Sequence, residues 1–564
     1  MKLFTVILSL LFSVTSCINK HKPLYLTGIQ WMSLEIDFVS NNDYADCFND
    51  VNLDVIFQHS NGETLKIPAF WDGGKSWKVR FAPTRSGRWE FKTICNDVSN
   101  SGLHGKSGKI KVSSYQGDLE IFKHGFLKTL PEIRYFVYND NTPFFYIGDT
   151  HWGMPSELID SSSIPGYSSH FKYIVDKRVE QGFTVYQSEP IGAKYNLSDG
   201  LNEHDIDGFK DLDRRFQYIA QRGLIHANAQ LVFSTALGAN REKYPDSYLE
   251  KLCRYWVARY SSYPVLWTTA QEVDNDCYHG RIWDGKDMNP FFDENTNPWK
   301  LVASYIHKYD PYKHALTAHM EFSSIGGDGT VASTSSFRDL PGHSWYAAQW
   351  SPAINTQLDF QIPKDFWESG QGKPVVNFEG LYDHLWTNHF GARMQGWTAF
   401  LNGMYGHGYG AADIWLYNSD YDMEKESNHH GIKITVEDKK TKWDKSVEFA
   451  SAWQMGIMRR FFESIDWWDL TPRFDDEAWF ENDSSFYSIA SKENELYVAY
   501  FYNKTLKTGI IKGLDNSEYV CQWFNPVNGK YLDSNRIQIQ NRLYDIGNKP
   551  DEMDWILILK KSGQ

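Results

Sequence analysis

Between residues 134 and 462, short apolar runs and amphipathic stretches alternate, and this alternation limits the possible folds more than any other feature of the chain. Strand-like runs fall at 144–149, 183–187, 225–233, 264–272, 315–319, 344–348, 374–379 and 410–415. Between them lie helical patterns, such as 170–182 with Phe171, Ile174, Val175 and Val179 on one face. Further helices are expected at 212–223, 247–260 and 299–308. Eight runs separated by helices, five of them ending in a polar residue, predict a (β/α)8 TIM barrel over residues 126–468 with its site at the strand C-termini.

Both flanks read as β. Residues 23–125 hold strand-like runs at 31–36 and 53–57, an Asn61-Gly62 hairpin signal and an alternating stretch around Trp89. Residues 469–564 hold similar runs at 496–501, 520–524 and 555–559. A β-sandwich on each side of an α/β barrel is therefore expected. The first 22 residues read as an export signal with a short tether. An apolar run from Leu3 to Phe12 leads into Ser13-Val14-Thr15-Ser16-Cys17, which resembles a lipoprotein signal and implies Cys17 as the lipidation site. No other run reaches the ~18 residues of a membrane helix, so the membrane is met through this anchor alone, on the periplasmic or outer face of a bacterial outer membrane. Of the other cysteines, Cys47 with Cys95 and Cys253 with Cys277 are conceivable bridges, and free buried thiols are an equal alternative.

The partner follows from composition. With 57 basic against 71 acidic residues the net charge is −14, which argues against nucleic acid. Aromatic residues make up 16% of the chain, and rings with polar edges suit the apolar faces and hydroxyl rims of sugars. The expected partner is an oligosaccharide or polysaccharide.

The chemistry centres on two glutamates. Glu272 ends the fourth expected strand and Glu379 the seventh, positions that face each other across a barrel mouth. Two carboxyl groups flanking a glycosidic bond are what its hydrolysis commonly requires, and this placement favours the close spacing of a retaining enzyme. Asp274 and Asp276 stand as alternative acids if the strand ends elsewhere.

Gly148-Asp149-Thr150-His151-Trp152, the Trp267 to Glu272 run, Phe378-Glu379-Gly380 and the stretch from Arg393 to Trp415 together resemble the barrel family that contains the apiosidases. The run from Phe81 to Trp89 resembles an immunoglobulin-like module that precedes glycosidase barrels. The segment around Trp523 to Gly529 resembles a C-terminal module named for collagen binding, a name to which an acidic chain without a protease motif gives no support. The resemblance implies Glu272 as acid/base, Glu379 as nucleophile and Gln271 as an amide reaching the sugar 2-hydroxyl. Much of the family carries Gly-Asp where this chain has Gln271-Glu272, so the reaction class carries over and apiose specificity does not.

Around the pair, Asp149, His151 and Trp152 are expected to hold the terminal sugar, with Gln187, Trp345, His407 and Trp415 as further lining. For His151 and His407 a packing role is an equal alternative. No His-Glu-x-x-His, P-loop or Gly-x-Ser-x-Gly pattern is present, and His429-His430 lacks metal-ligand spacing. No cofactor and no metal is assigned. The sequence thus reads as an exported glycoside hydrolase, exo-acting on a complex plant-type glycan. The alternative is a glycan-binding lipoprotein that does not cleave. Sugar, anomer, linkage and oligomeric state are left open.

Overall fold

The computed structural model describes residues 24–162, 165–191, 197, 200–229, 237, 241–273, 281–283, 286–288, 296–319, 337–350, 360–415, 426–429, 432–435, 442–481 and 486–563. The export signal with Cys17, the alternative acids Asp274 and Asp276, and Cys277 lie outside these residues, as do His430 and the His429 side chain. Among the described residues no helix is long and apolar enough to cross a membrane, and Cys47, Cys95, Cys253 and Cys521 are free thiols.

The centre is a curled parallel sheet of seven strands. In chain order they are Tyr146–His151, Val185–Ser188, Ile225–Asn228, Val265–Trp267, Tyr346–Ala348, Val375–Asn377 and Gly406–Tyr409. Neighbours along the sheet run from Val265–Trp267 back to Tyr146–His151, then through Gly406–Tyr409 to Tyr346–Ala348. Between the two edges sits the 315–319 segment, the fifth run of the sequence. Leu316 bridges both Trp267 and His343, and His319 bridges Ala347, all in parallel sense. Every residue of the seven strands is buried, as expected when helices cover the outer face and side chains fill the inside.

Three expected strands end elsewhere, the third, expected over 225–233, stopping at Asn228. The fourth stops at Trp267, and the chain then runs irregularly through Thr269 and Glu272, both at positive φ (55° and 50°), conformations a strand cannot hold. The last strand is Gly406–Tyr409 rather than 410–415. Glycine is a poor strand former, yet here close approach demands it: a Cβ on Gly408 would overlap the Phe378 carbonyl, and one on Gly410 the Tyr382 ring. The expected sixth strand is present as Tyr346–Ala348.

The N-terminal region has a five-stranded sheet and a three-stranded sheet. Strand Gly87–Cys95 alternates strictly, sending Trp89, Phe91, Thr93 and Cys95 inward. Leu53–His59 and Thr64–Pro68 pair as the hairpin that Asn61-Gly62 announces, with Gly62 at φ 101°. At the seam with the central sheet, Arg80 and Arg259 grip Asp213 from both sides. Arg80 donates at 2.9 and 2.6 Å and Arg259 at 3.1 and 2.5 Å. The two arginine side chains are 5% and 0% exposed, and that of Asp213 is 14% exposed.

The C-terminal region is again a larger and a smaller antiparallel sheet, of six and three strands. Its central strand Leu496–Phe501 is buried throughout and pairs with Tyr487–Lys492 and Trp555–Lys561. It packs on helix His389–Leu401, of which every residue from Gly391 onward is buried. From that helix Arg393 makes a two-pronged ion pair with Asp554, at 2.9 and 2.7 Å.

Candidate active site

Glu379 stands two residues past the end of strand Val375–Asn377, at the C-terminal edge of the sheet, and is 2% exposed. Its carboxyl group is held from several sides. The Trp152 indole donates to Oε1 at 3.2 Å, the Tyr382 hydroxyl donates to the same oxygen, and Gln271 donates to Oε2 at 3.4 Å. Tyr382 also accepts from Trp152 at 2.9 Å, so the two donors brace each other. Gln395, on helix His389–Leu401, fixes the turn after Glu379 by accepting from the Leu381 amide at 2.8 Å.

Glu272 lies across the mouth, half-buried, with Gln349 donating to its Oε1 at 3.4 Å. The two carboxyl groups sense each other. Burial pushes Glu379 up to about 8, and the nearby Glu272 charge adds to this, against the pull of the three donors. The pair therefore retains a proton well above the usual carboxylate range.

His319, from the segment in fifth position, has its Nε2 3.7 Å from Glu379 Oε2 and its ring over Trp152 at 6.0 Å. Burial lowers its pKa to about 3, so the imidazole is neutral, and neither ring nitrogen has a hydrogen-bond partner. Glu189, immediately after strand Val185–Ser188, is 1% exposed and raised by burial and by the charges of Glu272 and Glu379.

The sequence-predicted residues divide by what they touch. Trp152 and Gln271 reach Glu379 directly. Trp415 is half-buried and stacks on Tyr382 at 5.2 Å, one shell out. Asp149 and His151 belong to a buried ion network: Asp149 pairs with Arg178 at 2.5 Å and with His151 at 2.8 Å, and His151 pairs with Glu157 at 2.7 Å. Burial alone would lower the His151 pKa, but Glu157 and Asp149 raise it to about 9. Gln187 ties strands together, donating to the Phe378 carbonyl at 2.8 Å and accepting from Tyr146 at 3.0 Å. His407 is buried against Asn377 at 3.4 Å, with burial holding its pKa down at about 3. Trp345 is fully buried among Phe136, Tyr146 and Phe378.

Tyr382, His319, Gln349 and Glu189 were not anticipated. His319 had a signal, since it closes an expected strand as Glu379 does. Tyr382, Gln349 and Glu189 sit in connecting turns, where periodicity carries no information. Among the described residues one trio has metal-ligand spacing: Asp383, His384 and His389, whose ligand atoms lie within 4.8 Å of one another. Asp383 Oδ2 already accepts from His389 at 2.5 Å and from the Ser451 hydroxyl, while His384 Nδ1 has no hydrogen-bond partner.

The apiosidase-like catalytic domain family matches residues 131–469, and a domain of unknown function (DUF5060) matches residues 28–96. Comparison with curated proteins finds no match. Among solved structures, a provisionally assigned glycoside hydrolase from Bacteroides vulgatus ATCC 8482 is similar over 95% of this chain and 100% of its own, at 14% identity and a TM-score of 0.66. A glycoside hydrolase family 5 protein from the same organism is similar over 78% of this chain and 95% of its own, at 16% identity and a TM-score of 0.57. These likenesses concern the fold, whereas the family match spans the sheet, the glutamate pair and its donors. The chain belongs to the apiosidase-like catalytic domain family and is a glycoside hydrolase.

Proposed function

We propose that this hydrolase is a retaining, exo-acting glycosidase of complex plant-type glycans, with Glu379 as nucleophile and Glu272 as acid/base. The observation that carries this reading is the three-donor cradle around Glu379 at the sheet mouth, facing a second, more accessible carboxyl group. Donors from Trp152, Tyr382 and Gln271 favour the ionised form and aim the carboxylate, as attack on an anomeric carbon requires. Glu272 then gives its proton to the leaving oxygen as the glycosyl–Glu379 bond forms. In the second half it takes a proton from water, which attacks the anomeric carbon and frees Glu379. The pair holds one proton; it leaves with the departing oxygen, and the proton taken from water replaces it.

The reading extends to architecture and address. The Leu316 and His319 bridges support a complete (β/α)8 barrel, and the paired sheets on either side support β-sandwich modules. Export and lipidation at Cys17 would tether the enzyme to an outer membrane, where long glycans are met.

The test is a panel of aryl glycosides and plant oligosaccharides given to the purified protein. Glu379→Ala is expected to abolish turnover. Glu272→Ala is expected to lose most activity on natural glycosides, keep more on substrates with good leaving groups, and recover in part with azide. Full activity of Glu379→Ala on the identified glycan overturns the assignment. Glycan binding with no cleavage by the wild type would instead favour a lectin-like role.

A further inference from the structure

Among the described residues the buried carboxyl groups are, with one exception, visibly paired. Asp149 has Arg178, Asp213 has Arg80 and Arg259, and Asp554 has Arg393. Glu379 has its three donors. Glu189 is the exception: it is 1% exposed, and neither of its oxygens has a hydrogen-bond partner. Among the described residues no other buried carboxyl group has both oxygens unsatisfied. Leaving such a group dry and unpaired opposes folding, and a native chain retains it where something outside the fold completes it.

Its location says what that something is. Glu189 follows strand Val185–Ser188, whose register puts Ser188 beside His151 on one side and Asn228 on the other. It therefore sits on the same C-terminal edge as the glutamate pair, close enough for the charges of Glu272 and Glu379 to act on it. Among the described residues no cation neighbours it; burial and two like charges raise its pKa well above the usual carboxylate range and favour the protonated form. A protonated carboxyl group offers one donor and one acceptor side by side. Two adjacent sugar hydroxyls present the matching acceptor and donor, and they carry no charge to be desolvated.

Building on the glycosidase reading above, we propose that Glu189 is a substrate-binding residue whose carboxyl group hydrogen-bonds a pair of adjacent hydroxyls on the sugar held between Glu272 and Glu379. It would select sugars that carry that pair and reject those in which either hydroxyl is missing or substituted.

Two variants of the full chain test this, Glu189→Met and Glu189→Gln. Methionine fills the space without polar atoms, so it relieves the unsatisfied group and raises the thermal unfolding midpoint by about 1–3 °C. On whichever aryl glycoside the wild type cleaves, Glu189→Met is expected to lose about 100-fold in kcat/KM. Glu189→Gln keeps a donor and an acceptor and stays within about tenfold. Tryptophan-fluorescence titration with D-xylose, L-arabinose, D-galactose and D-glucose supplies a readout independent of cleavage: a sugar that the wild type binds should bind Glu189→Met at least tenfold more weakly. A lowered midpoint for Glu189→Met, unchanged kcat/KM or unchanged sugar affinity overturns the proposal. A wild type that binds one of these sugars but cleaves no glycoside refutes the hydrolytic reading and leaves Glu189 supported or refuted by the titration. A wild type that neither binds nor cleaves overturns both.

Discussion

Replacing Asp213 by asparagine removes one charge from the seam between the N-terminal region and the central sheet while keeping the volume. Asp213 accepts four charge-assisted hydrogen bonds, two from Arg80 and two from Arg259. Asparagine retains one acceptor oxygen and turns an amide N–H towards a guanidinium, so two of the four are lost. At about 1.5–3 kcal/mol for each hydrogen bond to a charged group, the gross loss is about 3–6 kcal/mol. Some is recovered, because Arg80 keeps Glu35 and Arg259 keeps Asp72. The expected net cost is therefore about 3 kcal/mol, at the lower end of what breaking a buried ion pair costs. Urea unfolding followed by tryptophan fluorescence measures it, with Arg536→Ala as a control. Arg536 is 72% exposed against Glu518 at 41%, so its loss should cost less than about 1 kcal/mol. The pH dependence supplies a second check. Burial pushes the Asp213 pKa up, but the charges of Arg259 and Arg80 more than offset this and hold it well below the usual carboxylate range. The stability it contributes is thus fully present above the unfolded pKa and is lost as pH falls towards the lower folded value. The gap between wild type and variant should be flat from pH 6 to 8 (well above about 3.9) and close in acid. An Asp213→Asn loss no larger than that of Arg536→Ala would refute the argument.

Two predictions concern the proposed catalytic pair. Tyr382→Phe removes a donor that favours ionised Glu379, so kcat/KM should fall by about 10- to 100-fold and the acid limb of its pH profile should move up; an unmoved limb with activity within twofold counts against the cradle. Glu379 has a folded pKa raised from 4.5 to about 8, so folding takes up a proton in that window and wild-type stability falls as pH rises through it. Glu379→Gln lacks this linkage and should gain on the wild type between pH 5 and 8 in denaturant melts, whereas a constant difference would show that burial leaves the group untouched.

Much of the fold was legible because buried parallel strands are short apolar runs and their covering helices are amphipathic. Glu379 could be found for the same reason, as a polar residue closing an apolar run. Glu272 does follow the fourth run, but in different local structure from that expected: its strand stops at Trp267, and positive φ at Thr269 and Glu272 leaves no periodic trace. The ion network around Asp149 and His151 was not legible, because Arg178 and Glu157 carry no local pattern that marks them as partners. The last strand was displaced because Gly408 and Gly410 serve the approach of Phe378 and Tyr382, a tertiary demand that overrides strand propensity.

Helix His389–Leu401 reaches in two directions at once. Gln395 steadies the turn that carries Glu379, while Arg393, two residues earlier, is clamped to Asp554 in the C-terminal region. The support of Glu379, the proposed nucleophile, is thus anchored in a region that follows the central sheet in sequence. The C-terminal sheets act as a foundation stone for the reaction rather than an accessory hung on the end, and shortening the chain to its family-matched segment would leave Arg393 as a buried cation facing the space where Asp554 had been.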